Sequence, residues 1–157
     1  MMKEIQTIFN VEELAKYIIN RCIELNKPIN NWELQGLLWT TQVNLTSSSI
    51  CAFNEDFVIW QHINAIPIIY YDYSIRYGLS PINKLQVTNT IIPYKEVIDY
   101  IIDTYYPYPN EFDYSNLPLW NTIRNEYLLN SHITTNIIRS KINNIMSSMK
   151  IFNHRKL

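Results

Sequence analysis

The chain has 157 residues, 47% hydrophobic and 13% aromatic, which is enough to bury the core of a single domain spanning residues 1–157. No run of about 18 uncharged apolar residues occurs and the start lacks the sections of a secretory signal, so we expect no membrane span and a cytoplasmic location. A net charge of −1 and only 2 cysteines, Cys22 and Cys51, argue against a dedicated nucleic-acid binder and against a disulfide scaffold.

Capping signals predict the first two helices. Asn10 followed by Glu13, and Asn30 followed by Glu33, each place a capping side chain at a helix start and a glutamate three residues later. Apolar residues at steps of three and four follow both signals, and the first helix is expected to end near Asn26.

Between residues 43 and 65 the helical period is lost. Phe53, Phe57, Val58 and Trp60 stand close together there, which favours an irregular segment or a small hairpin. We expect this segment to place Trp60 in the core as an anchor.

Four further helices are predicted. Pro67 and Gly78 are typical of a helix start and end, a fourth helix begins near Pro93, and two more cover about 117–129 and 134–149. The prolines of YYPYPNEFDYSN make a loop of residues 105–114. The predicted fold is therefore all-α: a single compact bundle of about six helices with a short irregular or hairpin segment near 50–65.

Two segments resemble the Panacea antitoxin domain family, the phage-associated GepA-like or SocA-like proteins. They are LAKYIINRCIELNKPINNWELQGLLW and FVIWQHINAIPIIYYDYSIRYGLSPI. The matching positions are Leu14, Ala15, Tyr17, Ile18, Ile29, Asn30, Leu34, Gln35, Leu37, Leu38, Trp39, Trp60, Pro67, Tyr70, Tyr77 and Gly78. Gly36 and Trp39 stand where the family usually has lysine and tyrosine, and residues 63–65 replace its glycine-proline-valine.

No pattern of residues predicts a catalytic, metal or cofactor site. His62, His132 and His154 lie in unrelated segments without ligand spacing, and 2 glycines cannot build a phosphate-binding loop. We therefore expect no cofactor, and an enzyme is the weaker class.

The charge is divided unevenly along the chain. Up to Glu126 there are 8 basic and 14 acidic residues, a net charge of −6, and from Tyr127 there are 5 basic residues and no acids, a net charge of +5. The basic C-terminal helix and tail, residues 134–157, either contacts nucleic acid or an acidic partner or folds back against the acidic first part.

The predicted partner-binding residues come from the 105–114 loop and from the last helix. Tyr106, Tyr108 and Phe112 would be exposed aromatic anchors, with packing of the loop on the bundle as the alternative, and Arg139, Lys141 and Lys150 would set orientation.

The family resemblance implies a protein-binding module that neutralises another protein, as an antitoxin does. One alternative is a phage- or mobile-element-encoded inhibitor of a host defence enzyme, such as an anti-CRISPR protein. An alternative of another class, a small hydrolase or nuclease, is disfavoured because no catalytic residues are recognisable.

Overall fold

The computed structural model describes residues 5–109 and 111–155, and their side chains up to residue 145. The helices are α1 (Val11–Glu24), α2 (Asn31–Leu45), α3 (Pro67–Tyr77), α4 (Lys95–Tyr105), α5 (Trp120–Glu126) and α6 (Thr135–Arg155). The strands are β1 (Gln6–Thr7), β2 (Ile50–Cys51), β3 (Phe57–Ile59), β4 (Asn64–Ala65) and β5 (His132–Ile133), and a 3₁₀ turn covers Tyr114–Asn116.

The prediction of an all-α fold is wrong, because in the described residues two small sheets accompany six helices. β1 and β2 pair in parallel, with Gln6 opposite Ile50, and β3 lies between β4 and β5 in an antiparallel sheet. β3 and β4 form the hairpin considered for residues 50–65, whereas β1 and β5 were not foreseen. Strands of two or three residues are too short to show an alternating pattern, and their partners lie far away in the chain.

The capping signals of the first three helices are confirmed. The Asn10 side chain accepts hydrogen bonds from two backbone N–H groups of α1, and Asn30 and Glu33 form a reciprocal capping box on α2. Pro67 is at the start of α3, and Gly78 ends that helix with a positive φ of 57°. These signals are local, which is why sequence alone predicts them.

The later helices begin and end at other residues than predicted. α5 is shorter than expected because the backbone of Leu119 is in the left-handed conformation, with φ of 63°, and the backbone of Tyr127 is extended. After α5 a turn leads into β5, whose Ile133 pairs with Phe57 of β3.

α2 is the central helix and is buried on nearly all sides. It contacts α1, α3, α4 and α6. Trp39 of α2 is completely buried, its ring packs edge-on against Phe57 at 4.9 Å and Trp120 at 5.5 Å, and its Nε1–H donates to the Pro118 carbonyl at 2.8 Å. The aromatic anchor of the core is therefore Trp39.

The expectation that Trp60 anchors the core is wrong. Trp60 is half-buried and packs against the cluster from outside, edge-on to Tyr70 at 5.0 Å and tilted on Tyr71 at 5.8 Å. It follows the last residue of β3, where its ring lies over the start of α3.

Two buried glutamines of α2 join the helices to the strands. The Gln35 Oε1 accepts from the backbone N–H of Ile66 at 2.8 Å. Gln42 accepts from the Ala52 N–H at 2.9 Å and donates to the Phe53 carbonyl at 2.8 Å. Both side chains thus satisfy backbone groups that the short sheets leave unpaired.

Cys22 and Cys51 are buried and free. Burial raises the pKa of the Cys22 thiol to about 12, which keeps it protonated and unreactive at neutral pH. Cys22, completely buried, lies on the inner face of α1.

Candidate protein-contact surface

Tyr106 is not an exposed anchor, and that expectation is wrong. The side chain is only 1% exposed. The Lys27 Nζ donates to the Tyr106 carbonyl at 2.6 Å and lies 5.6 Å from the centre of its ring. The Tyr106 ring, at the start of the loop, is therefore buried. For this residue the alternative, packing of the loop on the helix bundle, is correct.

Phe112 also packs against the hydrophobic core and does not point into solvent. Its half-buried ring packs against Tyr106 at 5.7 Å and edge-on against Tyr114 at 4.8 Å. The ring lies over Gly36, where an added Cβ would stand 2.5 Å from the Phe112 Cζ. Gly36 therefore creates the space that lets the loop pack on α2, and of the three predicted aromatic anchors only Tyr108, 63% exposed, faces solvent.

This contact gives a testable coupling between Gly36 and Phe112. In a helix interior, Gly→Ala ordinarily stabilises by about 0.5 to 1 kcal/mol. In the wild-type chain we expect Gly36→Ala to lose that gain and to lower the free energy of unfolding by about 1 kcal/mol, because the Phe112 ring must move. In a Phe112→Ala background the loss should become smaller, because only the Leu117 Cδ1, at 3.2 Å, still crowds the added Cβ. Urea denaturation of the four proteins measures the coupling, and equal effects in both backgrounds would contradict the packing of Phe112 on Gly36.

Two of the predicted basic residues, Arg139 and Lys141, form contacts within the chain. Arg139 donates from Nη1 to the Asn136 side chain at 2.7 Å and from Nε to the Ser47 carbonyl. The Lys141 Nζ forms an ion pair with Glu126. These two side chains fold back on the protein, as one of the two interpretations of the basic end proposed. The Lys150 side chain lies outside the described residues.

A surface that sequence analysis did not single out lies on the connector, which we define as residues 79–94 between α3 and α4. Four connector residues attach it to the helices. The Ile82 N–H donates to the Ile29 carbonyl at 2.7 Å, and Ile92 is buried. The Gln86 backbone exchanges hydrogen bonds with the Asn20 side chain at 2.7 and 2.9 Å. The Asn89 N–H is shared between both oxygens of the buried Glu13 carboxylate.

Between and beside these attachment points the connector exposes large apolar side chains. Val87 is 82% exposed and Ile91 is 88% exposed, and the others are Leu79, Leu85 and Tyr94. Their immediate neighbours Gln86 and Ile92 are buried, so the exposed residues are held outward by fixed backbone. We call Leu85, Val87, Ile91 and Tyr94 the connector surface.

The first of two grooves along the connector runs between it, α1 and α3. Its volume is about 440 Å³. The Arg76 guanidinium lies over the rings of Tyr73 and Tyr77, at 4.7 and 5.5 Å, and donates to the Gln86 side chain at 3.1 Å. Lys16 and Lys84 also line this groove, together with Leu85 and Val87.

The second groove lies between the connector and the other end of α1. Its volume is about 290 Å³, and Ile91 and Thr88 form one wall. On the opposite wall the Tyr17 hydroxyl donates to Asp99 at 2.8 Å, and Arg21 lies 3.3 Å from the same carboxylate. Burial, followed by the hydrogen bond to Asp99, raises the pKa of Tyr17 above its usual range. The phenol therefore stays neutral and acts as a hydrogen-bond donor.

The two grooves combine apolar rims with hydrogen-bonding side chains already held in place by neighbours. Such an arrangement suits the binding of a polypeptide, whose side chains cover the exposed apolar residues and whose polar groups meet the groove walls.

Among the described side chains, no three His, Cys, Asp or Glu residues come together in a way that could hold a metal ion. None of the helices in the described part of the chain is both long and apolar enough to cross a membrane.

The connector surface has no sequence signal of its own. Leu85, Val87 and Ile91 look like ordinary core residues when only the sequence is read, since apolar residues in a loop show no period that reveals which side is buried.

Comparisons of the chain with protein-family models, with curated proteins and with solved structures found no match.

Proposed function

We propose that this chain is a protein-binding module that neutralises a partner protein, as an antitoxin does, and that the connector surface makes the contact. The observation that carries the proposal is the exposure of Val87 and Ile91, 82% and 88%, on a backbone fixed by its buried neighbours. Large apolar side chains displayed together in this way are typical of interaction sites. The resemblance to Panacea antitoxin domains supports the same class of function.

The fixed backbone of the connector also supports the proposal. Binding costs free energy when flexible segments must be ordered, and a segment already held by Gln86 and Asn89 avoids most of that cost. Tyr94, 60% exposed, adds an aromatic side chain of the kind that often dominates interface energy. The polar groove walls would then determine which partner is accepted.

The proposal predicts that the partner is lost when the connector surface is made charged. The wild-type chain should capture a specific protein from a lysate of the host that encodes it. Val87→Asp combined with Ile91→Asp should weaken that binding by at least about 2 kcal/mol, roughly 30-fold, because a charge is placed where apolar groups must lose water. Affinity capture with mass spectrometry identifies the partner, and binding kinetics with that purified partner measures the loss.

The matched control is Leu128→Asp, because Leu128 is 83% exposed and lies in the turn before β5, outside the connector. All variants should retain the wild-type melting temperature within a few degrees, since surface substitutions rarely change stability by more than about 0.5 kcal/mol. Recovery of the same partner by the double connector variant, or its loss in Leu128→Asp, would refute the assignment of the surface. A captured partner whose activity is unchanged at equimolar complex would refute neutralisation.

A further inference from the structure

α3 is apolar on two opposite faces. Its inner face packs on the core through Ile69 and Tyr73, both 1% exposed. Its outer face carries Ile68, Tyr71 and Ile75 at helical spacing, and Leu79, just past the end of the helix, follows them. We call these four large side chains, each more than half exposed, the α3 stripe. Ile75 is 85% exposed. A helix that is apolar on both faces is normally covered on both.

The surroundings of the α3 stripe resemble the parts of a protein interface. The ring of Trp60 lies against Tyr71 at 5.8 Å and extends the stripe at one end. Asp72 and Arg76 lie along one flank, paired at 3.0 Å, with their side chains 59% and 42% exposed. Aromatic residues at the centre and charges at the rim are the usual composition of such a surface.

We propose that the α3 stripe is covered by the α3 stripe of a second copy of this chain, packed antiparallel about a twofold axis. The flanking charges support this packing, because Asp72 and Arg76 are opposite in sign and lie four residues apart on the same flank of α3. An antiparallel twofold packing brings the same flank of both helices together and places Asp72 of one copy beside Arg76 of its partner. The stripe is thus complementary to itself in charge as well as in polarity.

This pairing leaves the connector surface to another protein. Val87 and Ile91 lie on the connector and not on the outer face of α3, whereas Asp72 and Arg76, which also line the first groove, lie between the two surfaces. A dimer would present two connector surfaces to its partner. Self-association is measured with the purified chain alone and does not depend on any captured protein.

The test is sedimentation equilibrium of the purified full chain across the micromolar range. We expect the wild type at twice the chain mass of 18.7 kDa and Ile75→Asp at the mass of one chain. Asp72→Arg alone and Arg76→Asp alone should each raise the dimer dissociation constant at least tenfold, because each places like charges opposite one another. An equimolar mixture of these two variants should restore the dimer, since the charges are then opposite again. Leu128→Asp is the control and should sediment as the wild type does.

Three outcomes would overturn the inference. The first is a wild type that sediments at 18.7 kDa throughout the range. The second is a dimer that survives Ile75→Asp, which would place the interface elsewhere. The third is a mixture of the two charge variants that remains monomeric while each variant keeps the wild-type circular dichroism, which would contradict the antiparallel arrangement.

Discussion

Trp39→Ala is expected to lower the free energy of unfolding by about 3 to 5 kcal/mol, a large part of the total stability of a domain. The indole is completely buried, packs edge-on against Phe57 and against Trp120 of α5, and donates to the Pro118 carbonyl just before α5. Alanine would leave a cavity at the point where α2, β3 and α5 meet. Urea denaturation followed by circular dichroism measures the loss.

Trp60→Ala is the matched comparison for Trp39→Ala. Trp60 is half-buried and packs against the core from outside, so its removal should cost only about 1 to 2 kcal/mol. Trp39→Phe should fall between the two, since it keeps most of the apolar volume and loses the donor to the Pro118 carbonyl. A larger loss for Trp60→Ala than for Trp39→Ala would contradict the arrangement of the core.

Gln42→Met is expected to lower the free energy of unfolding by about 2 to 6 kcal/mol, although methionine is apolar and similar in volume. The substitution leaves the Ala52 N–H and the Phe53 carbonyl unpaired in a buried site, and each such group costs about 1 to 3 kcal/mol. Thermal or urea denaturation measures the loss. Gln61→Met, at an exposed position, should change stability by less than about 0.5 kcal/mol.

Gln42→Glu separates hydrogen bonding from burial. A buried carboxyl group has a raised pKa in the folded state, so folding favours its protonated form. The penalty of this substitution should therefore be largest at pH values above the folded pKa and should shrink as the pH falls toward the unfolded pKa. A protonated carboxyl can donate to the Phe53 carbonyl as the amide does. A penalty that does not vary with pH would contradict the burial of Gln42.

The parts of the fold that depend on neighbouring residues could be predicted from the sequence. Asn10, Asn30 and Gly78 mark helix ends through contacts within a few residues, and the structure places them as expected. Apart from the hairpin of β3 and β4, the strands could not be predicted in this way. Gln6 pairs with Ile50 and Phe57 with Ile133, across separations that no local period reveals.

The candidate surfaces were missed for a similar reason. Tyr106 and Phe112 were expected to be exposed because they lie in a loop rich in proline, but Gly36 and Lys27, far away in the chain, bury them. Conversely, Ile75 and Val87 are apolar and were not considered as surface residues. The spacing of Ile68, Tyr71 and Ile75 is the one available signal for the α3 stripe, since it lies opposite the inner apolar face of the same helix.

Site-specific photo-crosslinking in the host cell tests most directly the central claim that the connector surface binds a partner protein. A photoreactive phenylalanine analogue is introduced at Val87 in one protein and at Leu128 in another, positions of nearly equal exposure, 82% and 83%. We predict one discrete adduct with a different protein from Val87 and none from Leu128. Adducts from Leu128 alone, or no adduct at Val87 while the chain is folded and expressed, would contradict the proposal.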